Sequence, residues 1–441
     1  MLTARTLSSL APAALALVAL AAGVACSKET EEPPPNTGTT IAEARSDLPR
    51  ELAPTVAPAD YAALHAGNVA FAFDLYGELA SADANFFCSP ASVSVALAMT
   101  WAGAKGTTES EMAQALGFTL PQASLHAAFD KLLLELDTRN VATHTTDEGP
   151  KNVRLSFTNA AWAQTGYPFT PSYLDTLAVN YGAGVKLLDF LTDAAGATVT
   201  INDWVAAQTE NKITDLIPPG LLSPLTRLVL TNTLYFYGSW KRAFDADFTT
   251  DDAFHAPAGD VTVPTLHGEL DTPYAEGDGW QLASLPYDGD ALVMTIVVPA
   301  AGRFDEIRTA IDPAGLAAAD AAAVEHPTTV SVPKFRFTWG TESLKPALQA
   351  LGMVDAFDSA AADFTGMEPT GELFVGDVLH KAFVGVDESG TEAAAATAVA
   401  VLGGGVPDRD LTADRPFVFL IRDLATGTIL FVGQVVDPTA T

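Results

Sequence analysis

Residues 387–414 read DESGTEAAAATAVAVLGGGVPDRDLTAD, almost thirty positions with no large side chain able to anchor them. They separate one strand-like run at 381–386 from another that starts near Arg415. One reading of the segment is a helix: Ser389-Gly390-Thr391-Glu392 fits a capping box, Ala393 to Ala396 are the best helix formers, and Gly403 would end it. Such a helix would have no broad apolar face to dock, and Thr397, Val399 and Val401 alternate with alanine as strand residues do. The segment is therefore a loop that could become a strand. Loops of this length inside compact domains are usually functional, and Gly403-Gly404-Gly405 can adapt to a partner's cleft.

Outward from this loop, runs rich in Val, Phe, Thr and Ile and bounded by Gly, Pro and Asp fall at 227–237, 291–298, 329–337, 415–421 and 428–436. Helical patterns come earlier, at 68–79, 89–101 and 124–136. Helices in runs and strands in runs predict an α+β protein with largely antiparallel sheets. No internal repeat or composition break divides 59–441, which reads as one domain. Ser89-Pro90 reads as a helix cap, and Cys88 beside it as a buried small hydrophobe.

Composition excludes several functions. The chain is 48% apolar and carries a net charge of −31, from 23 Lys and Arg against 54 Asp and Glu. So apolar a chain builds a core, and so acidic a surface repels polyphosphate, which excludes nucleic acid as a partner. There is no HExxH, no GxxxxGK[ST] and no GxSxG. Gly103-Ala104-Lys105-Gly106-Thr107-Thr108 lacks the spacing of a phosphate loop. The seven histidines never fall three or four apart, and the two cysteines, Cys26 and Cys88, are distant from each other. An enzyme, a metal site and a cofactor are all unexpected.

The first 25 residues read as an export signal, with Arg5 ahead of an apolar run shorter than the ~18 residues of a membrane span. Gly23-Val24-Ala25-Cys26 resembles a bacterial lipobox, in which the Cys26 thiol takes a diacylglyceryl group and contacts membrane lipid. The alternative is ordinary cleavage after Ala25. Ser27 after the cysteine resembles an outer-membrane sorting signal. Residues 26–58, beginning with a Pro-, Thr- and Glu-rich stretch, read as a disordered tether, or equally as a tail without a role. The destination is then the outer membrane or cell surface, and otherwise the periplasm or the medium.

The loop resembles the reactive-loop hinge of the serpin family: Glu388-Ser389-Gly390-Thr391-Glu392-Ala393-Ala394-Ala395-Ala396-Thr397 matches almost residue for residue. The likeness runs from about Asn68 to Pro438. Phe87-Cys88-Ser89-Pro90-Ala91-Ser92 with Ala96-Leu97-Ala98-Met99 resembles the family's second helix. Ile201-Asn202-Asp203-Trp204 with Thr209 and Asn211-Lys212-Ile213 resembles the helix across its main sheet. Thr231-Asn232 to Gly238-Ser239-Trp240, Val332-Pro333-Lys334-Phe335, His380-Lys381-Ala382 and Asp414-Arg415-Pro416-Phe417 follow in the family's order.

The resemblance implies a serpin fold, with three β-sheets, eight to nine helices and an exposed reactive-centre loop over about 388–413. It implies suicide inhibition of a serine protease: the cleaved loop inserts into the main sheet and drags the acylated enzyme with it. Thr391, Ala393, Ala395 and Thr397 would face inward, all of them small, with Gly390 as pivot. Ser89, Ser92, Asn232 and His380 are implied to form the polar cluster, or shutter, beneath the opening point. Trp240, Lys334 and Glu388 are implied at the breach above, with Lys334 and Glu388 as an ion pair.

Counting from Gly390 places the scissile bond at Gly404-Gly405, and counting back from Pro416 shifts it by one. Burying Leu402 or Val401 in a chymotrypsin-, elastase- or subtilisin-like pocket is worth about 1 to 3 kcal/mol, which favours Leu402-Gly403 within the window Val401, Leu402, Gly403, Gly404, Gly405. That window holds no Lys or Arg, so trypsin-like targets are not expected, and the acidity speaks against a heparin-type cofactor. Competing readings are a non-inhibitory carrier or chaperone and an inhibitor of cysteine proteases. The expected species is a monomer.

Overall fold

The computed structural model describes residues 41–391 and 407–440. β1 (Ala42–Ala44) leads to helix α1 (Pro58–Leu79), β2 (Phe86–Cys88), α2 (Pro90–Trp101), α3 (Gly106–Ala115) and α4 (Gln122–Asp137). β3 (Val141–Thr146) and β4 (Gly149–Gln164) are followed by α5 (Pro171–Tyr181), β5 (Val185–Leu188) and α6 (Phe190–Gln208). Then come β6 (Leu228–Ser239), β7 (Thr250–Ala256), β8 (Gly259–Gly277), β9 (Trp280–Pro286), β10 (Leu292–Pro299), α7 (Phe304–Ala310) and α8 (Pro313–Ala322). The rest comprises β11 (Val324–Pro333), β12 (Phe335–Ser343), α9 (Lys345–Ala350), β13 (Asp377–Asp387), β14 (Gly390–Thr391), β15 (Arg409–Thr412), β16 (Phe417–Asp423) and β17 (Ile429–Val435).

Several helices start on one local signal, a polar cap followed by proline, whose missing N–H costs nothing at the first helical position. Ser89 Oγ accepts from the Ser92 N–H at 3.2 Å ahead of Pro90. Thr170 does the same for Tyr173 ahead of Pro171, and Asp312 for Gly315 ahead of Pro313. Every residue of α2 is buried, which explains its lack of an amphipathic stripe: it is an interior helix against β4, β6 and β17.

The main sheet runs β1-β5-β4-β6-β14-β13-β12, with β3 also on β4. Trp162 of β4, Val229 of β6 and Leu379 of β13 pack against Phe190, Ile201 and Val205 of α6. The opposite face joins the larger core, which holds α2 and the second sheet. That second sheet runs β15-β11-β8-β9-β10-β16-β17-β2, with β7 also on β8. β10, β16 and β17 are buried along their whole length, as continuous apolar runs require.

Three expectations need correction. Among the described residues the ladders form two sheets, not three, because the long β8 pairs with β11 through Thr265–Tyr274 and with β9 through Tyr274–Gly277, fusing two units. The single strand expected over 329–337 is two: after Pro333, which has no N–H for the ladder, the chain leaves one sheet for the other. The tether expected over 26–58 stops short of Pro58. Ala42–Ala44 pairs antiparallel with β5, and Arg50 Nε reaches the buried carboxylate of Asp130 on α4 at 2.8 Å. Residues 26–40 lie outside the described part.

Candidate functional site

β6 and β13 are parallel neighbours, and the first residues of the long loop come between them. Low in the sheet the two strands pair directly, Asp377 to His380 against Val229 to Asn232. High in the sheet β14 stands between them, antiparallel to both: Thr391 faces Val386 on one side and Gly238 on the other, and Gly390 faces Asp387 and Ser239. The numbering offset between β6 and β13 is the same above and below. A strand continuing from Thr391 therefore meets two rails already in register. Among the described residues, 233–237 and 381–385 form no ladder with each other.

Thr391 is 3% exposed, and its Oγ1 lies 2.6 Å from the Tyr287 hydroxyl. Tyr287 stacks on Trp240 with centroids 4.7 Å apart, and burial pushes its phenol pKa up. A Cβ on Gly390 would fall 2.0 Å from the Gly238 carbonyl oxygen, so only glycine fits between the rails. Asp387 Oδ1 accepts from the Ser389 N–H at 2.9 Å and the Gly390 N–H at 3.3 Å, holding the turn into the gap. Burial pushes the Asp387 carboxyl up.

The upper rim closes on this turn from the other side. The Trp240 N–H donates to the Ser389 carbonyl at 2.9 Å, and Trp240 Nε1 donates to the Asp387 carbonyl at 3.0 Å. Lys334 Nζ sits 2.9 and 2.7 Å from the two carboxylate oxygens of Glu388, which also accepts from Thr249 Oγ1 at 2.9 Å. Burial pushes the Glu388 carboxyl up, yet the Lys334 and Thr249 hydrogen bonds together hold it below the usual range.

The lower cluster is one hydrogen-bonded chain. His380 Nε2 accepts the Ser89 N–H at 3.1 Å, so its proton is on Nδ1, which donates to Asn232 Oδ1 at 2.6 Å. Asn232 Nδ2 passes the chain to the Leu379 carbonyl at 3.2 Å. Burial pushes the His380 pKa down to about 4, so the ring is neutral at pH 7. Ser92 Oγ donates to Asn159 Oδ1 at 2.8 Å, and Asn159 faces Asn232 across the β4–β6 ladder.

The structure thus brings Ser89, Ser92, Asn232 and His380 together at one level of the gap, and Trp240, Lys334 and Glu388 at another. Asn159 and Tyr287 are additions that sequence reasoning missed; each joins the site through a hydrogen bond to a residue far away in the chain, Asn159 to Ser92 and Tyr287 to Thr391. Glu392 to Thr397, the window Val401 to Gly405, and Cys26 lie outside the described residues. Cys88 is fully buried and its thiol is pushed well up by burial, as expected of a core residue and not of a nucleophile.

Residues 66–438 match the family model described as Serpin (serine protease inhibitor). An uncharacterized serpin-like protein of Thermococcus kodakarensis is 38% identical over 83% of this chain and 84% of its own. Leukocyte elastase inhibitor of Xenopus laevis is 34% identical over 83% of this chain and 97% of its own. The thermophilic serpin tengpin in its native state superposes with a TM-score of 0.78 at 23% identity, over 90% of this chain and all of that one, a likeness of fold.

Proposed function

The chain belongs to the serpin family, and from that premise we propose that it is an irreversible inhibitor of serine proteases. The observation that carries the reading is the position of Gly390 and Thr391: these two residues near the start of the loop already form a strand between rails in matching register. The protease serine Oγ attacks a carbonyl in the window Val401 to Gly405. An ester forms, the peptide C–N bond breaks, and the new amino terminus leaves with the C-terminal fragment. The freed loop then replaces the direct β6–β13 contact with antiparallel ladders on both sides, a better arrangement than the parallel pair it displaces. Insertion of this kind is an established form of strand addition in the family.

Small residues at the inward positions Thr391, Ala393, Ala395 and Thr397 support insertion over a carrier or chaperone role, since none would clash beneath the sheet. Leu402 favours chymotrypsin-, elastase- or subtilisin-like targets, with Leu402-Gly403 as the preferred bond. Export and a Cys26 lipid anchor place the inhibitor at the cell envelope. The test mixes the purified protein with chymotrypsin, pancreatic elastase, subtilisin, papain and trypsin. A boiling-stable band at the summed mass with one of the first three is the expected result. A band with papain alone assigns cysteine proteases, and cleavage without any band assigns a non-inhibitory role.

A further inference from the structure

The segment that carries the chain from Ile41 to helix α1 lies on the body inside out. Its polar residues grip the fold. Arg45 Nη2 donates to the Gly182 carbonyl, Ser46 Oγ to Asp175 and Arg50 Nε to the buried carboxylate of Asp130, at 2.8, 2.5 and 2.8 Å. The Glu51 N–H donates to the Val179 carbonyl at 2.9 Å, and the Glu51 carboxylate folds back onto the Ala53 N–H at 2.8 Å. Ala44 and Val56 pack against the larger core, and Ile41 against the cluster under α6. Between them Leu48 stays 48% exposed and Leu52 74%, with Pro49 and Ala53 beside them also exposed. Large apolar side chains held outward on a pinned backbone, while charged neighbours turn in, mark a surface that meets an apolar partner.

Chain connectivity names that partner. Residues 27–40 join Ile41 to Cys26, the residue proposed above to carry lipid. Fully extended they reach at most about 50 Å, so an anchored molecule keeps this segment within that distance of the bilayer. Such confinement corresponds to an effective concentration in the millimolar range. Two leucines offer too little apolar surface to recruit a free protein to lipid, but enough to orient one already held there. Charge agrees: in a chain of net charge −31, residues 41–57 hold Arg45 and Arg50 against Glu43, Asp47 and Glu51, so this edge adds little repulsion from lipid headgroups. Position agrees as well, since β1 is the outer strand of the main sheet, with β5, β4 and β6 between it and β14. At about 4.8 Å per strand the gap lies roughly 20 Å in from that edge, so a bilayer on the segment leaves the gap clear.

We infer that this segment is a membrane-contact surface: Leu48 and Leu52 rest in the apolar margin of a lipid bilayer and set the orientation of the tethered molecule. The inference rests on the Cys26 anchor proposed above and adds a second, non-covalent contact to it.

The test uses the full chain, exported and lipidated in a bacterial host and reconstituted on phosphatidylcholine vesicles. Flotation reads the anchor. Hydroxyl-radical labelling of Leu48 and Leu52 reads the contact, each relative to Leu424, which is 55% exposed in the turn between β16 and β17. The Cys26→Ser chain without vesicles is the free reference. The chain is expected to float, and the relative labelling of both leucines to fall about threefold or more, as for side chains that leave water for the interface. Flotation with labelling equal to the free reference overturns the contact while leaving the anchor intact. A chain that does not float overturns the anchor and the contact together. Protection of the two leucines in the Cys26→Ser chain that grows with protein concentration assigns them to a second copy and overturns the inference.

Discussion

The Thr391 side chain is buried with its hydroxyl 2.6 Å from that of Tyr287, in a space with no room for charge. Thr391→Arg would bury a cation without a partner, at a cost of about 3 kcal/mol or more. The expected outcome is at least ~100-fold less covalent complex with undiminished cleavage of the loop, read on denaturing gels. His380 sets a second residue-scale effect. Its pKa is about 4 in the fold against 6.5 for the free side chain, so between those values the unfolded chain binds a proton that the folded chain refuses. The stability it contributes is complete above pH 6.5 and is lost as pH falls towards 4, by about 1.4 kcal/mol per pH unit. His126, also pushed down to about 4 by burial, adds a like slope away from the gap. Urea midpoints at pH 7, 6 and 5 should fall in that order, and either His126→Gln or His380→Gln should flatten the trend.

At the scale of elements, the N-terminal segment behaves as a strap. β1 extends the edge of the main sheet, Arg45 Nη2 donates to the Gly182 carbonyl at 2.8 Å, and Ser46 Oγ donates to Asp175 at 2.5 Å. Arg50 then pairs with Asp130, whose side chain is fully buried while Arg50 keeps 27% exposure. Arg50→Ala would leave a buried carboxylate alone. Because the arginine is partly solvated, the expected loss is about 2 kcal/mol, below the usual cost of breaking a buried pair, seen as a lower urea midpoint with an unchanged slope.

For the whole molecule, the direct pairing of Asp377–His380 with Val229–Asn232 keeps the lower sheet closed to the loop. Cleavage in the loop would let about ten residues add ladders on two sides, each hydrogen bond contributing roughly 1 kcal/mol net. The cleaved protein is therefore expected to melt higher than the intact one, by an amount on the order of 10 °C or more, in a calorimetric scan. Equal midpoints would mean that the sheet does not take the loop. The same gain supplies the work of moving a tethered protease, so stability and inhibition should rise and fall together among hinge variants.

What the sequence by itself determined is whatever depends on near neighbours: the polar-Pro helix starts at Ser89, Thr170 and Asp312, the alternation in the strands, and the run of small residues after Gly390. Family resemblance added the pairing of Lys334 with Glu388 and the grouping of His380 with Asn232, and the coordinates bring both together. Only the tertiary structure decided which residues meet across long stretches of chain: Tyr287 under Thr391, Asn159 beside Ser92, and β1 on the sheet edge instead of in a tether. It alone also disclosed the common register of the two rails. The physical reason is that local conformation follows from steric and hydrogen-bonding preferences within a few residues, whereas register and non-local contact are set by how all the strands close around one core.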